Sequence, residues 1–179
     1  MKIHTPSREV AMVQVQVHIV GVAVDSHAQH LILLKPLSEN EGTGRMLPIW
    51  IGPQEATSIL IAVEGAEAPR PLSHDLMKTL IEAVGATVER VDVTRIEDGT
   101  FYAEITLTTR TGSLVIDSRP SDAIAIAARM EAPIWVNDDV LEEAGIDDES
   151  EHVDPVDEEK RLAEFRKFLD EVDPDDFQG

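Results

Sequence analysis

The sequence predicts an α+β domain: a mixed, largely antiparallel sheet packed with three main helices. Three observations lead there. The run Met12–Ile19 alternates, with Val13, Val15, Val17 and Ile19 on one face, as a half-buried strand does. Glu97-Asp-Gly-Thr100 joins two β-rich stretches, and Asp-Gly between such stretches is a strong hairpin signal. Helical patterns stand among the strands, and no regular strand–helix alternation of a doubly wound parallel sheet appears.

The elements follow in order. After the first strand, His30–Leu37 and Met46–Ile51 read as strands joined by a hairpin loop over Ser38–Gly44. Gly52-Pro53 opens a helix, with proline at its first position and Glu55 in the first turn, and Gly65 ends it. Pro69, Arg70 and Pro71 punctuate a loop. Ser73 is placed to cap a helix over His74–Val84, with Leu76, Met77, Leu80, Ile81 and Val84 as its apolar stripe and Gly85 as its stop. Thr87–Ile96 and Phe101–Thr109 form the Asp-Gly hairpin, and Thr111-Gly112 turns into a further strand through Ser118. Pro120 starts a helix that is apolar on nearly every side. Pro133–Val136 is a short last strand, and Asp138 or Asp139 starts a brief helix ending at Gly145.

Charge divides the chain. The formal net charge is −20, and residues 138–179 hold 18 acids and 4 bases against 17 and 11 before them. The expected organisation is a flexible extension over 1–11, the α+β domain over 12–145, and an acidic linker with a C-terminal amphipathic helix over 146–179. Leu162, Phe165, Phe168 and Leu169 mark one side of that helix. The chain lacks the basic footprint of a nucleic-acid binder. At physiological salt, however, charges beyond a Debye length of about 8 Å are screened, so local arginines can still govern phosphate binding. No apolar run reaches membrane-spanning length, the first residues carry no secretory signal core, and there are no cysteines. A cytoplasmic location is expected, without disulfides or thiolate metal sites.

The candidate chemistry lies at two helix starts. In Asp117-Ser-Arg-Pro-Ser-Asp122 a strand meets a helix, and Arg119 with Ser121 beside unpaired helix amides would make an anion site. The plainer reading is that Ser118 or Ser121 caps the helix while Asp122 complements its dipole. His74-Asp75 opens the preceding helix. His74 can move a proton near neutral pH, or it is simply exposed beside a dipole-complementing Asp75. Asp75, Asp117 and Asp122 could together hold a divalent cation. Asp25, His27 and His30 share a hairpin and are read as turn residues before metal ligands. Trp50 and Trp135 are assigned to core or interface. No glycine-rich nucleotide motif and no nucleophile elbow is present, so no Ser–His–Asp arrangement can be read.

Four blocks together resemble the bifunctional nuclease domain family of bacteria and plants: Leu47-Pro-Ile-Trp-Ile-Gly-Pro-Gln-Glu-Ala56, Pro69-Arg-Pro-Leu-Ser-His-Asp-Leu76, Asp98-Gly-Thr-Phe-Tyr-Ala103 and Asp117-Ser-Arg-Pro-Ser-Asp-Ala-Ile-Ala125. The resemblance implies an α+β fold that associates, and hydrolysis of phosphodiesters in DNA or RNA. It carries over no catalytic set. His74, Asp75, Arg119, Ser121 and Asp122 stand in its blocks. The reading that follows has Arg70, Lys78 and Arg119 holding phosphate, with Ser121 beside them. His74 moves a proton, and Asp75 with Asp122 positions water or a divalent cation. The alternative is a non-catalytic dimeric module that binds a small anion or a protein partner. Either way a homodimer is expected, and no membrane partner.

Overall fold

A computed structural model of the chain describes residues 13–40 and 42–148. The extension over 1–11 and the amphipathic helix from Glu158 onward lie outside these residues.

The strands are β1 (Gln14–Val24), β2 (His30–Pro36), β3 (Arg45–Ile51), β4 (Thr87–Glu97), β5 (Thr100–Thr109), β6 (Gly112–Ser118), β7 (Ile134–Asn137) and β8 (Ile146–Asp147). They form one sheet in the order β6-β5-β4-β7-β1-β2-β3-β8. Among the described residues only the β4–β7 pair is parallel. The helices are α1 (Pro53–Glu64), α2 (Ser73–Ala83), α3 (Pro120–Met130) and the short α4 (Asp138–Ala144). This is the α+β architecture expected. No helix among the described residues is long and apolar enough to cross a membrane.

Register explains the core. Val17 stands opposite Ile134 and Pro36, Ile32 opposite Ile49, Leu34 opposite Leu47, and Val91 opposite Ile105 and Ile134. Directly paired residues share a face, so one side of the sheet is a continuous aliphatic surface. The alternation of β1 would turn Val22 away from that side. A bulge at Val20 restores it, setting Val22 opposite Ile32 and leaving Val20 about half exposed. Helices α1 and α3 lie side by side over this face, α1 on β1 and β2, α3 on β4 and β5. Ala123 through Ala127 are all buried; the small alanines bring the helix close to both neighbours. The Asp98-Gly99 turn has positive φ at both residues, 49° and 75°, the geometry that matches strand twist in a two-residue hairpin.

Two local expectations change. Ser73 is the first residue of α2, not its cap: Leu72 holds the cap position, and its N–H donates to Asp75 Oδ2 at 2.7 Å. The apolar stripe of α2 is mostly uncovered. The helix packs on α3 in an outer layer, Ile81 reaches the core, and Leu76, Met77, Leu80 and Val84 remain exposed. Beyond Gly145 the described chain continues: β8 pairs with β3, and Asp148 forms a buried ion pair with Lys35 on the sheet face away from the helices.

Candidate functional site

The three larger helices meet in one chain of polar contacts. His74, at the start of α2, is 6% exposed. Its Nδ1 stands 2.8 Å from Ser58 Oγ on α1, and its Nε2 3.0 Å from Asp122 Oδ1 on α3. Arg129, at the end of α3, donates from Nη2 to Ser58 Oγ at 3.0 Å and from Nε to Asp75 Oδ1 at 2.6 Å. The donors and acceptors close without a clash if His74 carries its proton on Nε2. Arg129 then donates to Ser58, Ser58 to His74 Nδ1, and His74 to Asp122. At the outer end Arg119 grips Asp122 in a fork, Nε to Oδ2 at 2.7 Å and Nη2 to Oδ1 at 3.0 Å, and reaches Glu55 at 3.0 Å.

Burial works to raise the Asp122 carboxyl, but hydrogen bonds from Arg119 and His74, with the charge of Arg119, outweigh it and hold the group below its ordinary 3.8. Asp75 behaves alike: burial raises it, while Arg129 and the Leu72 N–H bring it down. A carboxyl with a lowered folded value contributes stability that is complete above its unfolded value and lost as pH falls through the folded one. Asp122→Asn is therefore expected to be less stable than the parent near neutral pH, with the gap closing below about pH 3.8. Urea unfolding midpoints across that range test it; identical pH dependence for the two proteins would sink the assignment.

Arg119 also borders a cleft of about 680 Å³. Its walls are the β1–β2 turn with His30, the β3–α1 junction from Trp50 to Pro53, the β4–β5 hairpin tip and the start of α3 from Arg119 to Ser121. Two helix N-termini thus open on the same space, and neither has a side-chain cap. The expectation that Ser118 or Ser121 caps α3 is not met: Arg119 takes the cap position, and Ser118 Oγ is buried with no partner among the described residues. Trp50 is not core. It is 54% exposed on the cleft, its Nε1 donating to Asp25 Oδ2 at 3.1 Å. Asp25 also accepts the His27 and Gln29 N–H groups, and the Gln29 bond chiefly holds its carboxyl below the ordinary value. It staples a turn.

The sequence-derived candidates thus fall into three places. Arg119 and Ser121 face the 680 Å³ cleft. His74 and Asp122 lie in the buried chain behind it. Arg70 and Asp75 border a second cleft of about 450 Å³ at the C-terminal ends of α1 and α3. Lys78 donates to the Arg129 carbonyl at 3.2 Å and approaches Glu82 at 4.0 Å. Asp117 stands opposite Glu104 on the sheet face away from the helices. The trio Asp75, Asp117 and Asp122 does not gather, and no group of three His, Asp or Glu among the described residues is arranged to hold a metal ion. The reading of the sequence missed Ser58, Arg129 and Glu55. Ser58 gives a signal in hindsight: a hydroxyl inside an apolar helix needs a partner when buried.

The fold is that of an α+β domain with a cleft onto which two helix starts without side-chain caps open. The sequence profile of the bifunctional nuclease domain matches residues 36–149, and the chain belongs to that family. An uncharacterized protein of Mycobacterium tuberculosis (strain ATCC 25618 / H37Rv) is 39% identical over 167 residues, covering 92% of this chain and 98% of the relative. Bifunctional nuclease 2 of Arabidopsis thaliana is 30% identical over 120 residues, 65% of this chain and 36% of its own length. Bifunctional nuclease 1 of Oryza sativa subsp. japonica is 31% identical over 116 residues, 63% and 34%. The chain therefore spans about a third of the length of these plant relatives.

Proposed function

We propose that the protein is a phosphodiester hydrolase acting on DNA or RNA, with the substrate phosphate seated in the 680 Å³ cleft. The observation that carries this reading is the convergence of two uncapped helix starts with Arg119. The first amides of a helix have no intrahelical acceptor and lie at the positive end of its dipole. Gly52-Pro53 and Arg119–Ser121 aim two such ends into one space. The Arg119 bonds described above use Nε and Nη2, leaving Nη1 for a phosphate oxygen. Asp122, itself fixed by His74, holds the guanidinium in place. Ser121 and Thr100 add hydroxyls, and His30 lines the wall. Hydrolysis adds water across a P–O bond and releases a phosphomonoester and a hydroxyl. The membership in the bifunctional nuclease domain family supports the substrate class.

The alternative is an anion-binding module without turnover. It is favoured by the closure of His74, whose two ring nitrogens are both bonded inside the protein. A proton carrier must reach its substrate. Arg119→Ala separates binding from fold. Single-stranded DNA or RNA binding is expected to weaken at least tenfold, about 1.4 kcal/mol, with an unchanged circular dichroism spectrum. Hydrolysis by highly purified protein, assayed with magnesium and with chelator, should fall in parallel. Binding lost with no turnover in the parent protein selects the module; turnover unaffected by Arg119→Ala marks a contaminant or another site.

A further inference from the structure

We propose that Trp50 is a stacking face for a nucleobase, so that the cleft holds an unpaired nucleotide by its ring as well as by its phosphate. This rests on the cleft being the phosphate seat, and adds what a phosphate alone cannot specify. The cleft brings the rings of Trp50 and Phe101 and the aliphatic Ile49 and Ile51 together with Arg119 and the starts of α1 and α3. A simple anion has no use for the apolar part of that lining. A nucleotide has, since it carries a flat π-face beside its charge.

Trp50 is exposed yet fixed. A large aromatic side chain that is 54% exposed leaves apolar surface in water. Its position is nevertheless set at both ends. The backbone is held in β3 opposite Leu31 of β2, and Nε1 donates to Asp25 Oδ2 at 3.1 Å. Asp25 is itself anchored by the His27 and Gln29 N–H groups, at 2.8 and 2.9 Å. A ring fixed before the ligand arrives loses little rotamer freedom on stacking, which lowers the cost of association. Trp135, the second tryptophan, is the contrast: it is half-buried in β7, with the Arg90 guanidinium 4.9 Å from its ring centre.

The occupant is a nucleobase by charge and by reach. A cation would also suit an indole face, but Arg119 and the positive ends of two helices share the space and repel it. Trp50 stands two residues before Gly52, the cap residue of α1. Two residues of extended chain span about 7 Å, so the ring and the helix amides lie one short step apart, as base and phosphate do across a single sugar. Gln29 and Thr100 also line the cleft. An amide and a hydroxyl each donate and accept, so they can meet the edge of any base. In a duplex the faces of a base are covered by its neighbours, so the ring selects an unpaired one.

The test is binding by the full chain, read on Trp50 fluorescence after Trp135→Phe removes the other indole. A short oligothymidylate should quench that signal; an abasic strand of the same length and a matching duplex should not. The oligothymidylate should also bind at least about tenfold more tightly than the abasic strand. Trp50→Ala should erase this difference and leave the affinity for the abasic strand unchanged. Trp50→Phe, which keeps a ring and loses the Asp25 bond, should retain most of it. Arg119→Ala should weaken both strands. Equal affinity of the parent for the two strands, a preference that survives Trp50→Ala, or quenching by all three ligands alike overturns the stacking face and leaves the phosphate seat in place. No binding of either strand removes the phosphate seat, and the stacking face with it.

Discussion

Ile124→Asp is expected to leave the chain unfolded under conditions where the parent is native. Ile124 is 0% exposed and lies in the middle of α3, the helix that packs on both the sheet and α1. Removing a buried aliphatic of this size costs about 2–5 kcal/mol. A carboxylate in its place lacks a counter-ion in an aliphatic surround and adds several more. The sum approaches the whole stability of a typical domain, about 5–15 kcal/mol. Ile124→Val, which keeps shape and polarity, should cost only about 0.5–1.5 kcal/mol. Thermal melts of the three proteins make the comparison. A melting temperature for Ile124→Asp close to the parent's would mean that α3 is not the central helix of the core.

Asp148→Ala should be nearly as damaging, although it lies beyond the expected domain end at Gly145. The side chains of Lys35 and Asp148 are 2% and 3% exposed, and the carboxylate also accepts the Gly42 N–H at 2.9 Å. Removing it leaves a buried ammonium without its counter-ion and an amide without its acceptor. Breaking one half of such a pair costs about 3–5 kcal/mol. Replacing both halves with apolar residues of similar volume, Lys35→Met with Asp148→Leu, is often neutral or stabilising. The double variant should therefore recover most of the loss in urea unfolding. A single variant within about 1 kcal/mol of the parent would show the pair to be hydrated and of little consequence.

Both experiments bear on what could be read before the fold was known. The strands of the first hairpin, the Asp-Gly turn and the two apolar helices were legible because their signals are local. Period-2 alternation, positive-φ residues in a two-residue turn and proline at a helix start each act within a few residues. The family resemblance was legible for the same reason, since its blocks are short and ordered along the chain. Arg119 could be singled out as a cation at a helix start. The partners that define its setting could not, because Glu55 is distant in sequence and joins it only when α1 packs beside α3.

The sequence by itself determined the seven longer strands, the four helices, where they turn, and to which family the chain belongs. Tertiary structure alone decided the rest. It paired His74 with Ser58 and Asp122, 16 and 48 residues away. It sent Asp75 and Arg119 to different clefts, left the apolar stripe of α2 uncovered, and buried Lys35 against a residue 113 positions further on. The reason is physical. Secondary structure answers to torsional preference and to hydrophobic spacing along one element. A buried polar group answers instead to whichever donor or acceptor the packing of several elements brings within about 3 Å.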